Sequence, residues 1–397
     1  MTLLEVIKNA SVNPEPLDSP SDYPVVLNPD TIIPYLKSEV EDINSSSLVK
    51  PLNGWQISQT DAELINIGKE FFSQLKKKLK NTEGLKKDEF INDLNSYLEN
   101  IRDKVGVSIG INSSNKDYTR ILIGRLGFFI GKQIAGLILE GCVSLEIWEL
   151  VEALIVNGII DHSCYSNLVT RLVEKNKSDL LCLCIKHGLD LGSSEILCIL
   201  RYFLSPPRGS SSSMMTVRKE WENQALLAIE KASDNNLKEK NLLLAKEASL
   251  LLMIAYDGFS TSELYLHYLI ASSNVNREML SPAFSKLDGK EMMSLIWYLA
   301  KWLKKYERFP QVGPCSNASA ALGLKACDWV PKLEDVAKCL SLVLDENFSS
   351  LVLHPEFHQE VISIEGMVSS LTAEAKYCCL MAEVVNKLKM EVKGGKK

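Results

Sequence analysis

The chain has 397 residues, 46% apolar and 24% charged, enough to bury the cores of two or three average domains and too apolar for disorder throughout. Its 44 basic and 50 acidic residues leave a net charge of −6, which excludes an overall basic footprint for nucleic acid but permits local patches. Ten cysteines, irregularly spaced and mostly inside apolar helical runs (Cys182, Cys184, Cys198, Cys339, Cys378, Cys379), read as small buried hydrophobes in a reducing compartment, not as a disulfide framework.

The opening MTLLEVIKNASVNPEP has no basic segment followed by an apolar core and a small-residue cleavage site, so no secretory signal is expected. Half of the 14 prolines fall before residue 52, among Ser, Asp and Asn, and residues 1–58 are expected to form an extended or disordered arm. A helical region over 59–144 follows. Thr60 with Glu63 makes a capping box, Leu64, Phe71, Phe72, Leu75 and Leu79 carry a helix to about Lys80, and a second helix spans Asp88 to Lys104. Residues 105–141 hold seven of the 21 glycines, including Gly124, Gly127, Gly131 and Gly136, which points to close helix packing. A phosphate-binding loop fails there, because Leu126 stands where its first glycine should be and Gln133 follows Lys132. Ile121 to Leu145, interrupted by Arg125, Lys132 and Glu140, and Leu242 to Tyr256, which contains Lys246 and Glu247, read as buried helices and not membrane spans. The Asn347-Phe348-Ser349 sequon then carries no weight.

From 145 to 392 one amphipathic helix follows another, without any strand-length run of alternating polarity. Helices are expected near 145–157, 163–175, 178–187 and 193–204, separated by Gly158, Asn176 and Gly188 to Gly192, the glycines standing where helix ends favour a left-handed residue. Short connections imply antiparallel neighbours, the hairpin unit of a solenoid or irregular bundle. SPPRGSSSSMMT, residues 205–216, reads as a flexible linker and a preferred protease site. Further helices are expected near 217–232, 238–256, 261–271 and 276–287. Asp288 with Glu291 then starts a helix whose face of Met292, Leu295, Ile296, Leu299, Leu303 and Tyr306 is widened by Trp297, Tyr298 and Trp302. After a loop from Arg308 to Trp329, Pro331 opens a helix with Leu333, Val336, Leu340 and Val343 facing inward. The last helix carries Phe357, Val361, Ile364, Val368, Leu371, Ala375, Cys378, Ala382 and Val385 on one stripe at 4-3-4-3 spacing. Of these, Phe357, Val361, Ile364, Val368, Leu371, Ala375 and Cys378 are the candidate partner-binding residues, and packing of the whole stripe on its own domain is the alternative.

No catalytic, cofactor or metal set emerges. Among five histidines only His354 and His358 have ligand-like spacing, but Pro355 stands where a metalloprotease needs Glu and no third ligand is evident. Cys182 with Cys184, and Cys378 with Cys379, lack redox or zinc spacing. Two basic clusters, Lys76-Lys77-Lys78-Leu79-Lys80 and the tail 393–397, suit nuclear import or phosphate contact but read more simply as solvated charge. Aromatic residues interleave with neither, so RNA contact is expected to be indirect or weak.

The runs LVTRLVEKNKSDLLCLCIKHGLDLGSSEILCILRYFL, LLLMIAYDGFSTSELYLHYL, SLIWYLAKWLKKY and CLSLVLDENFSSLVLHPEFHQEVISIEGMVSSL resemble the C-terminal domain of the nucleolar protein 11 family over about residues 145–392. Leu344-Asp345-Glu346-Asn347-Phe348, before the last long helix, is the most distinctive piece. The resemblance implies a non-enzymatic assembly subunit of the small-subunit processome, acting on nascent pre-ribosomal RNA in the nucleolus with other protein subunits, without cofactor, membrane or small-molecule substrate. That family carries an N-terminal β-propeller, for which the first 144 residues here are too few and too helical. The expected fold is all-α, an irregular α-solenoid closed by a long C-terminal helix. The competing function is a general HEAT-like adaptor in trafficking or chromatin.

Overall fold

Short helices need frequent stops, and this chain writes its stops locally. The computed structural model of the protein describes residues 59–80, 85–108, 110, 115, 117–188, 191–207, 209–234 and 237–394. Over these it forms seventeen α-helices, with no strand among the described residues. The first eight are α1 (Gln59–Lys80), α2 (Lys87–Val105), α3 (Tyr118–Leu126), α4 (Lys132–Ser144), α5 (Trp148–Val156), α6 (His162–Glu174), α7 (Ser178–His187) and α8 (Ser193–Leu204). Helices α4, α5 and α6 end alike. Glu146, Gly158 and Asn176 take φ of 54°, 64° and 53°. The following amides of Ile147, Ile159 and Lys177 then donate back to the carbonyls of Cys142, Leu154 and Leu172 at 2.8, 3.1 and 2.9 Å. The next connection departs from expectation. Gly188 (φ −73°) and Gly192 (φ −78°) are not left-handed, and Gly192 instead caps the start of α8.

The remaining helices are α9 (Ser211–Ala232), α10 (Glu239–Tyr256), α11 (Thr261–Ala271), α12 (Arg277–Phe284), α13 (Gly289–Arg308), α14 (Ala318–Leu322), α15 (Leu333–Glu346), α16 (Phe348–Leu353) and α17 (His358–Gly394). They stack in two rows. Helices α3, α5, α7, α11 and α15 each pack on the next in one row, while α4, α6, α8 and α12 do so in the other. The α9–α10 hairpin adds to the side of the first row through α7 and α11. This is the helical-repeat architecture that the periodicity predicts. From Thr60 onward the chain packs as one unit, and contacts run across residue 145 through α3, α4 and α5. Of the glycines between residues 105 and 141, Gly127 and Gly141 serve close packing, whereas Gly106, Gly110 and Gly131 face open space. A Cβ at Gly127 would run into Ile159, and one at Gly141 into the ring of Phe90. The proline-rich opening and the last residues of the basic tail lie outside the described residues.

Several local expectations are corrected. Helix α9 begins at Ser211, inside the stretch read as a linker over 205–216, and Ser210 and Met214 are buried. Serines can enter the interior there because their hydroxyls find partners. Ser213 Oγ donates to the Ser210 carbonyl at 2.8 Å and lies 3.2 Å from Ser178 Oγ, itself 2.9 Å from Tyr202 Oη. Thr60 is already helical, so it is not the cap of α1. Trp297 and Leu333 are exposed, because no described helix covers those sides of α13 and α15. Cys378 and Cys379 are exposed as well, while all ten cysteines are free thiols. The Asp288–Glu291 box forms as expected, and a second box, Ser260 with Glu263, starts α11.

Candidate interaction surface

The approach to the last helix is fixed by the Leu344–Phe348 stretch. Asn347 is buried and its side-chain amide donates to the carbonyls of Phe284 at 3.3 Å and Val343 at 3.1 Å. Glu346 accepts from Ser281, and Asp345 lies 3.6 Å from Arg277. The end of α15 is therefore pinned to α12. Pro355 then opens a short 3-10 turn ending at Phe357, which re-aims the chain into α17. No proline follows, and α17 runs for 37 residues, about 55 Å at 1.5 Å per residue.

Only the first half of this helix is held. Phe357 and Ile364 are 3% and 4% exposed, Val361, Met367 and Leu371 are half-buried against the same core, and α17 packs on α13. Phe357 reaches the start of α13, where Gly289 leaves its ring room. Val368 is partly open at 41%. Beyond Leu371 the stripe leaves the body, and Ala375, Cys378, Ala382 and Val385 are exposed. The structure thus joins Phe357, Val361, Ile364 and Leu371 in an internal docking face and leaves Val368, Ala375 and Cys378 outside it.

A second stripe is absent from the sequence reading. Tyr377, Leu380, Met381, Val384 and Leu388 are each between 55 and 69% exposed. A helix turns by about 100° per residue, which sets these side chains roughly half a turn away from Phe357, Ile364 and Leu371. The projecting half is apolar on the side opposite to the one by which the helix is held. Its signal was present as 4-3-4 spacing at 377, 381, 384 and 388, but the first stripe overlaps it and hides it. Smaller exposed apolar groups occur elsewhere: Phe348, Val352 and Leu353 beside the root of α17, and Phe128 at the turn before α4.

Cavities and titratable groups do not converge comparably. A cavity of about 420 Å³ near the starts of α4 and α6 is lined by Lys132, Asn157, Asp161 and His162. Asp161 is occupied in capping α6, accepting from Ser163 N at 3.4 Å and Ser163 Oγ at 2.8 Å, with Lys132 Nζ at 2.9 Å. The Lys132 ammonium, with help from Ser163, holds that carboxyl down at about 2. His267, whose pKa burial pushes down to about 3, is sealed in the core. His358 Nε2 sits 3.0 Å from the Val352 carbonyl and His354 lies 3.4 Å from Glu356, so both serve the helix entry. Among the described residues no three His, Cys, Asp or Glu side chains are placed to hold a metal ion, and no helix is long and apolar enough to cross a membrane. In the basic cluster of α1, Lys78 is drawn onto Glu89 and Asp93 at 2.6 and 2.7 Å. Comparison of the chain with protein families, with curated proteins and with solved structures finds no match.

Proposed function

We propose that this protein is a non-enzymatic scaffold whose helical body carries a projecting apolar helix as its means of assembly. The observation that carries this reading is the division of α17: one face held in the body at Val361, Ile364 and Leu371, the opposite face of its outer half exposed at Tyr377, Leu380, Met381, Val384 and Leu388. Apolar surface of that extent gains free energy by being covered. For the assembly itself, the resemblance to the C-terminal domain of the nucleolar protein 11 family supports a subunit of a nucleolar pre-ribosomal complex that meets other protein subunits and touches RNA weakly or indirectly. The Leu344–Phe348 stretch that carries the resemblance is the stretch that pins α15 to α12 and aims the last helix, so its structural work is concrete.

Imaging of the tagged full chain tests the cellular half of this reading. Nucleolar enrichment, together with co-purification of small-subunit precursor components, is expected. Exclusion from the nucleolus would remove the ribosomal assignment and favour a general adaptor in trafficking or chromatin. A steep fall of affinity for pre-ribosomal RNA with rising salt would instead assign direct phosphate contact.

A further inference from the structure

We infer that the free stripe of α17 is a self-pairing surface, on which a second copy of this chain lays its own α17 antiparallel to the first. The inference rests on the scaffold reading only in using the same projecting helix, and it names the occupant of that helix.

The two halves of α17 differ in a way that suits such a pair. On the side away from the body, the outer half presents large side chains, Tyr377, Leu380, Val384 and Leu388. The same side of the inner half presents Gly366, Ser370 and Ala373, all exposed, followed by exposed Ile362. A Cβ built on Gly366 meets nothing within 4 Å, so this surface is open. Turning one helix end for end about a point near Ala375 sets Tyr377 opposite Ala373, Leu380 opposite Ser370, Val384 opposite Gly366 and Leu388 opposite Ile362. Large residues then meet small ones twice, once in each half, and small positions let two helix backbones approach closely. A parallel pair would set like residues side by side and leave the small half facing itself.

Charge is close to neutral towards this register. Lys387 and Glu383 each lie two residues, about 3 Å along the axis, from the level of Glu365 of the second copy on the same flank, one attracting it and one repelling it, and Lys376 meets its symmetry mate on the solvated rim, where screening is strongest. Geometry permits the arrangement because each body is held on the far side of its own helix, so the two bodies lie on opposite outer faces of the pair. The extent is sufficient too. From Ile362 to Leu388 the shared helix is about 40 Å long, and two apposed helices of that length cover roughly 800 Å² per copy, the amount a stable interface of standard size takes from each partner. A lone helix with an apolar stripe, by contrast, is marginal in water.

Sedimentation equilibrium of the full chain tests the inference, with a dimer expected at micromolar concentration. The double variant V384D/L388D should sediment as a monomer with the melting temperature of the dilute wild type, because neither side chain is buried in its own chain. G366V, at a position open in its own chain, should weaken pairing several-fold by meeting Val384 of the second copy, and G366V/V384A should restore it. A monomer at concentrations of about 100 μM overturns the inference, as does a dimer indifferent to V384D/L388D. A dimer that G366V leaves unweakened, or that G366V/V384A fails to restore, overturns the antiparallel register. None of these results bears on nucleolar enrichment or on binding of a different protein, which stand or fall with the scaffold reading separately.

Discussion

The position of one proton organises the centre of the second half of the core. His267 Nε2 lies 3.0 Å from the Ala255 carbonyl oxygen, which can only accept, so that nitrogen carries the hydrogen. Nδ1, 2.8 Å from Tyr298 Oη, then accepts from the phenol, which in turn accepts from Trp302 Nε1 at 3.1 Å. A chain of donors running from α13 through α11 to the end of α10 is thereby satisfied inside an apolar shell that includes Phe259 and Trp221. Burial pushes His267 from the ordinary 6.5 down to about 3. Above pH 6.5 both folded and unfolded chains hold a neutral ring, and the group has no effect. Below it the unfolded chain takes up a proton that the folded chain refuses, so stability falls by about 1.4 kcal/mol per pH unit until the folded value is approached. Replacement of His267 by Phe keeps the bulk but strands the Ala255 carbonyl and the Tyr298 hydroxyl, at about 1–3 kcal/mol each. Urea denaturation should therefore show H267F less stable than wild type at pH 7.5, with a gap that narrows at pH 5. A gap that does not change with pH would exclude the titration.

At the scale of the helix, the repeated ending of α4, α5 and α6 makes a second prediction. Asn176 is held in the left-handed region at φ 53°, and its Oδ1 is buried without a hydrogen-bond partner. Glycine takes that conformation freely, and an unpartnered buried oxygen is a cost that glycine lacks. Asn176→Gly is expected to stabilise the protein by about 1 kcal/mol after the greater freedom of glycine in the unfolded chain is subtracted, read as a rise of about 2 °C in melting temperature. Destabilisation would show that the Asn176 side chain holds α6 to its neighbours. Helix ends were legible in the sequence where the signal is written within a few residues: Gly158 and Asn176 at stops, Asp288 with Glu291 at a start. Faces were legible only in part, because the side that is covered depends on which helix arrives there. Trp297 and Leu333 obey the spacing of their helices and still face water. The serines before Thr216 resemble a linker until Ser178, far away in the chain and itself bonded to Tyr202, supplies a partner for the Ser213 hydroxyl.

Over the whole molecule, the same limit explains why α17 was read as one stripe of nine residues. Spacing shows that Phe357 to Val385 share a side, but only the extent of α13 decides how many turns find something to lie against, and the body ends near Leu371. Two substitutions of opposite kind separate the held half from the free half. Phe357→Ala empties a site inside the body and is expected to cost about 3–5 kcal/mol, lowering the melting temperature at every protein concentration. Removal of residues 375–397 takes away side chains that are exposed as far as they are described, from 375 to 390, so the truncated protein should melt with the dilute full chain. At high concentration the two should diverge, since pairing stabilises only the form that can pair and makes its melting temperature rise with concentration. Calorimetry across a hundredfold range of concentration reads both effects. If truncation lowers the melting temperature equally at every concentration, the outer half of α17 contributes to the body directly, and neither a projecting helix nor a free stripe describes this protein in solution.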